Sequence, residues 1–380
     1  MKILFLCGCL EPGRDGVGDY VRRLGVELAQ QGHPTAGIAL ADQFLTEEQS
    51  TSQPTENGDL AVLRLPAAWP ASRRFGRAQQ RVAEFDPEWV SLQFVPFSFQ
   101  AKGLPFLLAK QLLPLGKGRS WHIMFHELWV GMDEESTAKF IWWGRVQRQL
   151  IKALLRRLQP KVIHTQTPLY HSHLARLGFS SELLPLFANI SNSQAPANEA
   201  APPSAAAPAQ GVGLVAFGTI HPGARIAELA RDAAQYAAEH AVPVSLTLVG
   251  RGGEEQARWA ATWQAAGLPV HVLGEQAPDQ ISAALRAAAL GVTTTALALI
   301  GKSGTAAAMQ EHGLPVLSIA RPWVPLDVPD PATPVGVFAY RPGNLAAFLT
   351  KSACTPVYDK LFRIARQFAD ALRAVPPQRP

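Results

Sequence analysis

Cysteine is scarce in this chain: three among 380 residues, Cys7, Cys9 and Cys354, with no metal-ligand spacing. An odd count argues against a disulfide framework. Cys7 and Cys9 alternate around the end of an apolar run, so they read as core thiols in a reducing cytoplasm. Long hydrophobic runs are also missing, and no window approaches the roughly 20 uninterrupted apolar residues that span a bilayer. The opening "MKILFLC" is too short for a secretory signal core, and Gly-rich charged sequence follows it. No RNA- or DNA-binding module and no aromatic stacking platform is present, so nucleic acid is not an expected partner.

What is present is a chain long enough for two domains, 47% hydrophobic and 17% charged. Its net charge of +5 is uneven: residues 60–180 carry 17 Lys/Arg against 7 Asp/Glu, and residues 181–380 carry 14 of each. An anionic surface or ligand facing the N-terminal half would explain that bias. The Ala/Pro/Ser-rich stretch 191–211 reads as a linker or long loop. On either side, apolar runs of four to six residues alternate with amphipathic helices. "KILFLCG", "AGIAL", "LAVLRL", "WVSLQF", "HIMFHE" and "KVIHTQ" come before the linker. "GLVAFGT", "VSLTLVG", "VHVLG", "ALGVTTT" and "LPVLSIA" come after it. That alternation predicts parallel sheets covered on both faces. The expected architecture is α/β, with two doubly wound Rossmann-like domains facing a cleft: 1–190, then 212–355 beyond the linker. Residues 356–380 form a C-terminal helix that packs back on the first domain. Ligands of such sheets bind beyond the carboxyl ends of the strands.

Two loops carry the chemistry. In "GRDGVGDYVRRLGVELAQQGH", Gly16 and Gly18 stand where a helix begins, and free N–H groups there favour an anion. A plain structural turn accounts for the same glycines. In "GKSGTAAAMQEHGLPV", Lys302 offers a charge, Ser303 and Thr305 offer hydroxyls, and Gly304 bares the backbone at a helix start. Diphosphate binding fits this set, with a simple N-cap as the competing reading.

These stretches, together with "GLVAFGTI", "VSLTLVGRGGE" and "VHVLGE", resemble the GT-B glycosyltransferases, most closely those like glycosyltransferase family 4. The resemblance implies metal-independent sugar transfer from a nucleotide-sugar donor, with the acceptor on the N-terminal domain and the nucleotide on the C-terminal one. Gly16 and Gly18 would lie against the donor. His126 would contact the donor sugar, with Glu127 orienting it or touching the acceptor. Thr219, Arg225, Arg251, Gly274 and Glu275 would join Lys302, Ser303, Gly304 and Thr305 around the nucleotide. An inverting enzyme would also need a general base, for which Asp19, His126 and Glu127 are the candidates. Retention of configuration is the family's usual outcome. Two departures bear on this: the family's paired glutamates are replaced near Ala298 and Ala306, and its Gly-Arg…Lys pattern is missing after the second domain's first strand. "KSGT" instead is similar to the loop of inverting lipid-linked transferases. A sugar-nucleotide epimerase and a non-catalytic nucleotide-sugar-binding partner are the other readings.

Gln93 and Phe97, with Phe94 and Phe99, either line an acceptor groove or lie in the core. In "KFIWWGRVQRQLIKALLRRLQP" a core stripe is expected at Trp143, Val146, Leu150, Leu154 and Leu158. Arg145, Arg148, Lys152 and Arg156 are expected on another face, where an anionic membrane surface would be met. The acceptor would then be a glycan, a lipid-linked sugar or a small molecule, and the protein peripheral at the inner face of the membrane.

Overall fold

A computed structural model describes residues 1–192, 211–349 and 360–375. Cys354 and most of the expected linker lie outside them. The chain divides into two compact units. Unit 1 comprises Met1–Pro185, Val324–Asp330 and the chain from Leu361; unit 2 comprises Leu186–Trp323 and the chain from Pro331 to Lys360.

Unit 1 contains β1 (Ile3–Cys7), β2 (Thr35–Asp42), β3 (Gln49–Thr55), β4 (Gly58–Pro66), β5 (Trp89–Phe94), β6 (Ser120–Phe125), β7 (Val162–Thr165) and β8 (Glu182–Leu183). They form one sheet in the order β3-β4-β2-β1-β5-β6-β7-β8, parallel except for β3. Its helices are α1 (Gly16–Gln30), α2 (Ala71–Phe85), α3 (Pro96–Phe99), α4 (Leu108–Leu112), α5 (Ala138–Leu158) and α6 (Pro168–Arg176). Every residue of β1, β5 and β6 is buried, as expected for central strands covered on both faces. The antiparallel strand β3, "QSTSQPT", has no apolar alternation. It sits at the sheet edge, where Pro54 costs no central ladder bond.

Unit 2 contains β9 (Val212–Phe217), α7 (Ile226–His240), β10 (Val244–Val249), α8 (Gly253–Ala265), β11 (Val270–Gly274), α9 (Pro278–Ala287), β12 (Leu290–Thr293), α10 (Gly304–Glu311), β13 (Val316–Ser318), β14 (Val337–Ala339) and α11 (Ala346–Leu349). Its all-parallel sheet runs β11-β10-β9-β12-β13-β14. Trp259 and Trp263, one turn apart on α8, are both fully buried in its core.

The final helix, α12 (Lys360–Arg373), lays Ile364, Phe368 and Leu372 on unit 1. The Phe368 ring meets Phe5 at 6.0 Å and His122 at 4.8 Å. Unit boundaries differ from the sequence expectation at two places. Ala188 belongs to unit 2, where it is buried and its N–H donates to Glu311 Oε1 at 2.7 Å. Val324–Asp330 belongs to unit 1, where Leu326 N–H donates to the Met132 carbonyl.

The predicted stripe on α5 is corrected. Trp143, Val146 and Leu150 are only half-buried, whereas Gly144, Gln147, Ile151, Leu154, Leu155 and Leu158 face inward. Gly144 sets that rotation: a Cβ there would fall 2.0 Å from the Val130 carbonyl oxygen. Gln147 follows it inside, accepting from Val130 N–H at 2.9 Å and donating to the Gly103 carbonyl at 3.0 Å. On the outer face, Arg148 is drawn to Asp327 at 3.9 Å, so the basic surface is partly neutralised. Among the described residues no helix is long and apolar enough to cross a membrane.

Candidate functional site

In each sheet the strand order reverses beside the first strand, between β1 and β5 in unit 1 and between β9 and β12 in unit 2. Connections from neighbouring strands leave in opposite directions at such a point, which opens a crevice beyond the carboxyl ends. The sequence-predicted residues gather at these two edges, each set within its own unit.

In unit 2 the turns after β9, β10 and β11 are stitched together by their backbones. Gly218 N–H donates to the Val249 carbonyl at 2.9 Å, and Gly250 N–H to the Gly274 carbonyl at 2.7 Å. Gly218, Gly250 and Gly274 all have positive φ, which favours glycine. Gly218 also makes room: a Cβ there would lie 2.6 Å from Cγ2 of Thr305 on α10. Thr305 Oγ1 is 3.0 Å from Ser303 Oγ, and Thr295 Oγ1 donates to Ser303 Oγ at 3.3 Å. A hydroxyl cluster thus crowns the α10 N-terminus, with Gly304 open beside it. Ser303 is at the same time the helix N-cap, accepting from Ala306 N–H at 3.3 Å. The phosphate-loop and capping readings therefore share one side chain.

Lys302 ends a 3-10 turn leading into this cap. His221 lies near enough that desolvation first, and the Lys302 charge second, lower its pKa. Its N–H donates to Thr294 Oγ1 at 2.9 Å, and the Thr294 hydroxyl reaches the Thr219 carbonyl at 3.5 Å. Arg225 begins α7, with its N–H on the Ile319 carbonyl beyond β13. Arg251 and Glu275 are drawn together at 3.2 Å, both well exposed. Such a rim pair contributes about 1 kcal/mol or less. The positions near which the family's glutamates would stand hold Ala298 and Ala306, both buried.

In unit 1 the α1 N-terminus is already occupied. The Asp15 carboxylate caps it, accepting from Val17 and Gly18 N–H at 2.8 Å each. Burial raises the Asp15 pKa, and those amides pull it back. Gly18 is a packing glycine, since a Cβ would lie 2.8 Å from the Cys9 carbonyl oxygen; Gly16 has open space around it. The expectation that the Gly18 amide awaits an anion is thus corrected: Asp15 has taken it. Asp19 is likewise committed, accepting from Gly13 N–H at 3.0 Å and from Arg22.

His126 and Glu127 follow β6, and both N–H groups point at the Phe94 carbonyl. His126 is buried, with Tyr20 edge-on to its ring at 5.0 Å. Its Nε2 donates to Gln93 Oε1 at 2.8 Å, and Gln93 Nε2 donates to Ser91 Oγ at 2.7 Å. Ser91 Oγ is 2.7 Å from His122 Nδ1, and His122 Nε2 is 3.0 Å from His164 Nδ1. One buried chain therefore links β5, β6 and β7 to the candidate residue. Desolvation lowers the His122 pKa well below its ordinary value and lowers that of His164 to about 4, so both are neutral. Phe97, on α3, is 43% exposed, while Gln93 is buried and committed to the chain; a direct acceptor contact fits Phe97 better than Gln93. Sequence reading missed His221, Thr295, Asp15 and the Ser91–His122–His164 chain. Asp15 carried a signal as an N-cap residue directly before a helix.

No family model matches the chain, and no curated protein matches it in sequence. Solved structures do match its fold. Anabaena HepE in complex with UDP is 15% identical, with a TM-score of 0.60 over 99% of this chain and 100% of that one. A Listeria monocytogenes protein, named provisionally as a UDP-N-acetylglucosamine 2-epimerase, is 9% identical with a TM-score of 0.56, covering 99% and 98%. WaaG, a glycosyltransferase of lipopolysaccharide biosynthesis, is 14% identical with a TM-score of 0.52, covering 97% and 95%. The chain has the two-domain Rossmann-like fold of the GT-B proteins.

Proposed function

We propose that the protein is a glycosyltransferase that moves a sugar from a nucleoside-diphosphate sugar to an acceptor hydroxyl without a metal ion. The observation that carries this reading is the hydroxyl-crowned N-terminus of α10 at the unit 2 switch point, with Lys302 and His221 beside it. In the reaction the bond from the anomeric carbon to the diphosphate oxygen breaks, and charge grows on the leaving diphosphate. The helix N-terminus, Lys302 and Arg225 would stabilise that charge where other enzymes use a divalent cation. The acceptor oxygen bonds to the anomeric carbon and loses its proton to a base. Of the candidates, Asp19 is tied to Arg22 and Gly13, and His126, whose Nε2 donates to Gln93, is the base to test first. The likeness to HepE, solved with UDP, supports a uridine nucleotide as the first donor to try. Displacement assisted by such a base inverts the anomeric carbon, whereas the family resemblance implies retention, in which the leaving diphosphate takes the acceptor proton on the same face; the anomeric proton coupling of the product tells the two apart.

A second reading, a nucleotide-sugar binder without turnover, is favoured by buried Ala298 and Ala306 near the places where the family has carboxylates. Thermal shift with UDP, GDP and dTDP, followed by donor turnover with the matching sugar nucleotides, separates the two. The transferase reading expects a shift with one nucleotide, its loss in Lys302→Ala, and slow donor hydrolysis. A shift without hydrolysis or transfer supports the binder. No shift with any nucleotide rejects both.

A further inference from the structure

Unit 1 holds a cavity of about 230 Å3 between α5, α4 and the segment leading into α4. Phe94, Leu150, Ile151 and Leu154 supply apolar wall. Gln147 also lines it, but both ends of its amide are committed, to Val130 N–H and to the Gly103 carbonyl. A sugar placed against this apolar wall would lose water hydrogen bonds that the wall side chains do not replace. The volume also falls below the roughly 300–1,000 Å3 of ordinary small-molecule clefts. An alkyl chain has neither problem.

Lys110 and Arg157 also line the cavity, and neither has an ion-pair or hydrogen-bond partner among the described residues. Both stand in the last turn of their helices, where a cation suits the dipole. The dipole accounts for their position along each helix but not for both lining an apolar hole. Phe106 and Leu107 also line it and remain 64% and 63% exposed, so the lining runs out to solvent as apolar surface. Apolar walls, a polar group already satisfied and two exposed cations without a protein ion-pair partner among the described residues together describe an anionic amphiphile.

We propose that this cavity takes a single alkyl chain of a phosphate-headed lipid, with the head group held by Lys110 and Arg157. The site is separate from the α10 loop and does not depend on the transfer reaction.

Titration calorimetry of the full chain with octyl phosphate, 1-octanol and inorganic phosphate tests it. Octyl phosphate should bind one to one, at least tenfold more tightly than either of the other two. Ala153 lines the cavity and is exposed, so Ala153→Trp obstructs the site with little threat to folding. It should weaken octyl phosphate at least tenfold while leaving any UDP-induced thermal shift unchanged. Leu150→Trp fills the cavity from within and should do the same. The Lys110→Ala/Arg157→Ala double variant should bind octyl phosphate no better than octanol. The proposal is overturned if octyl phosphate does not bind, if Ala153→Trp leaves its affinity intact, or if inorganic phosphate binds equally well.

Discussion

Gln93 Oε1 lies 2.8 Å from His126 Nε2, and this contact decides which imidazole nitrogen carries the proton. With Nε2–H donating, Nδ1 carries the lone pair, which is the form a general base needs. Gln93→Leu removes the acceptor and also leaves Ser91 without its donor. Stability should fall by about 1–3 kcal/mol, the usual cost of stranding buried polar groups. On the proposed function, kcat should fall tenfold or more while nucleotide affinity, which belongs to unit 2, stays level. Two-bond nitrogen–proton spectra of labelled histidine should show the His126 tautomer mixing. An unchanged kcat with an unchanged tautomer would remove Gln93 from the mechanism.

Gly218 is tested through its neighbour. In Gly218→Ala the new methyl meets Thr305 Cγ2, and the backbone stays at a φ of +83°. Strain at a left-handed position and the clash together should cost about 1–3 kcal/mol. Thr305→Ser removes the offending methyl and keeps the hydroxyl. The Gly218→Ala/Thr305→Ser double variant should therefore recover the steric part and retain the conformational part. Urea midpoints measure both, and strict additivity of the two changes would show that the contact carries no weight.

The buried histidines set the response to acid. His164 is neutral when folded, with a pKa lowered to about 4, and burial lowers that of His122 well below the ordinary 6.5. An unfolded chain takes up protons on both as pH falls below about 6.5, while the native state does not. The contribution of these histidines is thus full above that pH and is lost on acidification, down to about pH 4 for His164. Each histidine contributes a slope of about 1.4 kcal/mol per pH unit inside its window. Urea titrations at pH 7, 6 and 5 should show the loss, and His164→Asn should reduce its slope by about 1.4 kcal/mol per pH unit. A variant with the wild-type slope would place the acid sensitivity elsewhere.

The fold was legible because parallel strands buried on both faces must be apolar throughout, and "ILFLC", "WVSLQF" and "VSLTLV" are nearly so. Strand β3 escaped notice because an edge strand exposed along most of its length has no reason to alternate. The face of α5 was misread for a similar reason. Gly144 and Gln147 count as neither apolar nor periodic, yet one permits backbone contact with Val130 and the other bonds to it. At the candidate sites, hydroxyl and glycine spacing pointed to the α10 loop. The Asp15 cap, by contrast, turns an apparent anion site into one already filled. His122 and His164 were hidden inside apolar strands, where only the three-dimensional pairing of β5, β6 and β7 brings them into line.

The loop after β1 is held by a buried ion cluster whose failure should be visible in stability. Arg64, on β4, donates from Nε to Asp42 Oδ2 at 2.8 Å and also reaches Glu11 in the loop. Asp42 has no solvent exposure and accepts as well from Leu10 and Phe44 N–H. In Asp42→Asn the guanidinium keeps only Glu11, itself part exposed, as an ionic partner, so weakening the buried pair should cost up to about 3 kcal/mol. Asp42→Asn/Arg64→Met removes the poorly paired charge along with its partner, so it should be the more stable of the two variants. Because Glu11 and Leu10 belong to the loop that leads to α1, proteolysis between Glu11 and Gly16 should accelerate in the single variant and stay fast in the double, which also removes the contact to Glu11. If Asp42→Asn unfolds at the wild-type urea concentration, the cluster is not what holds the loop.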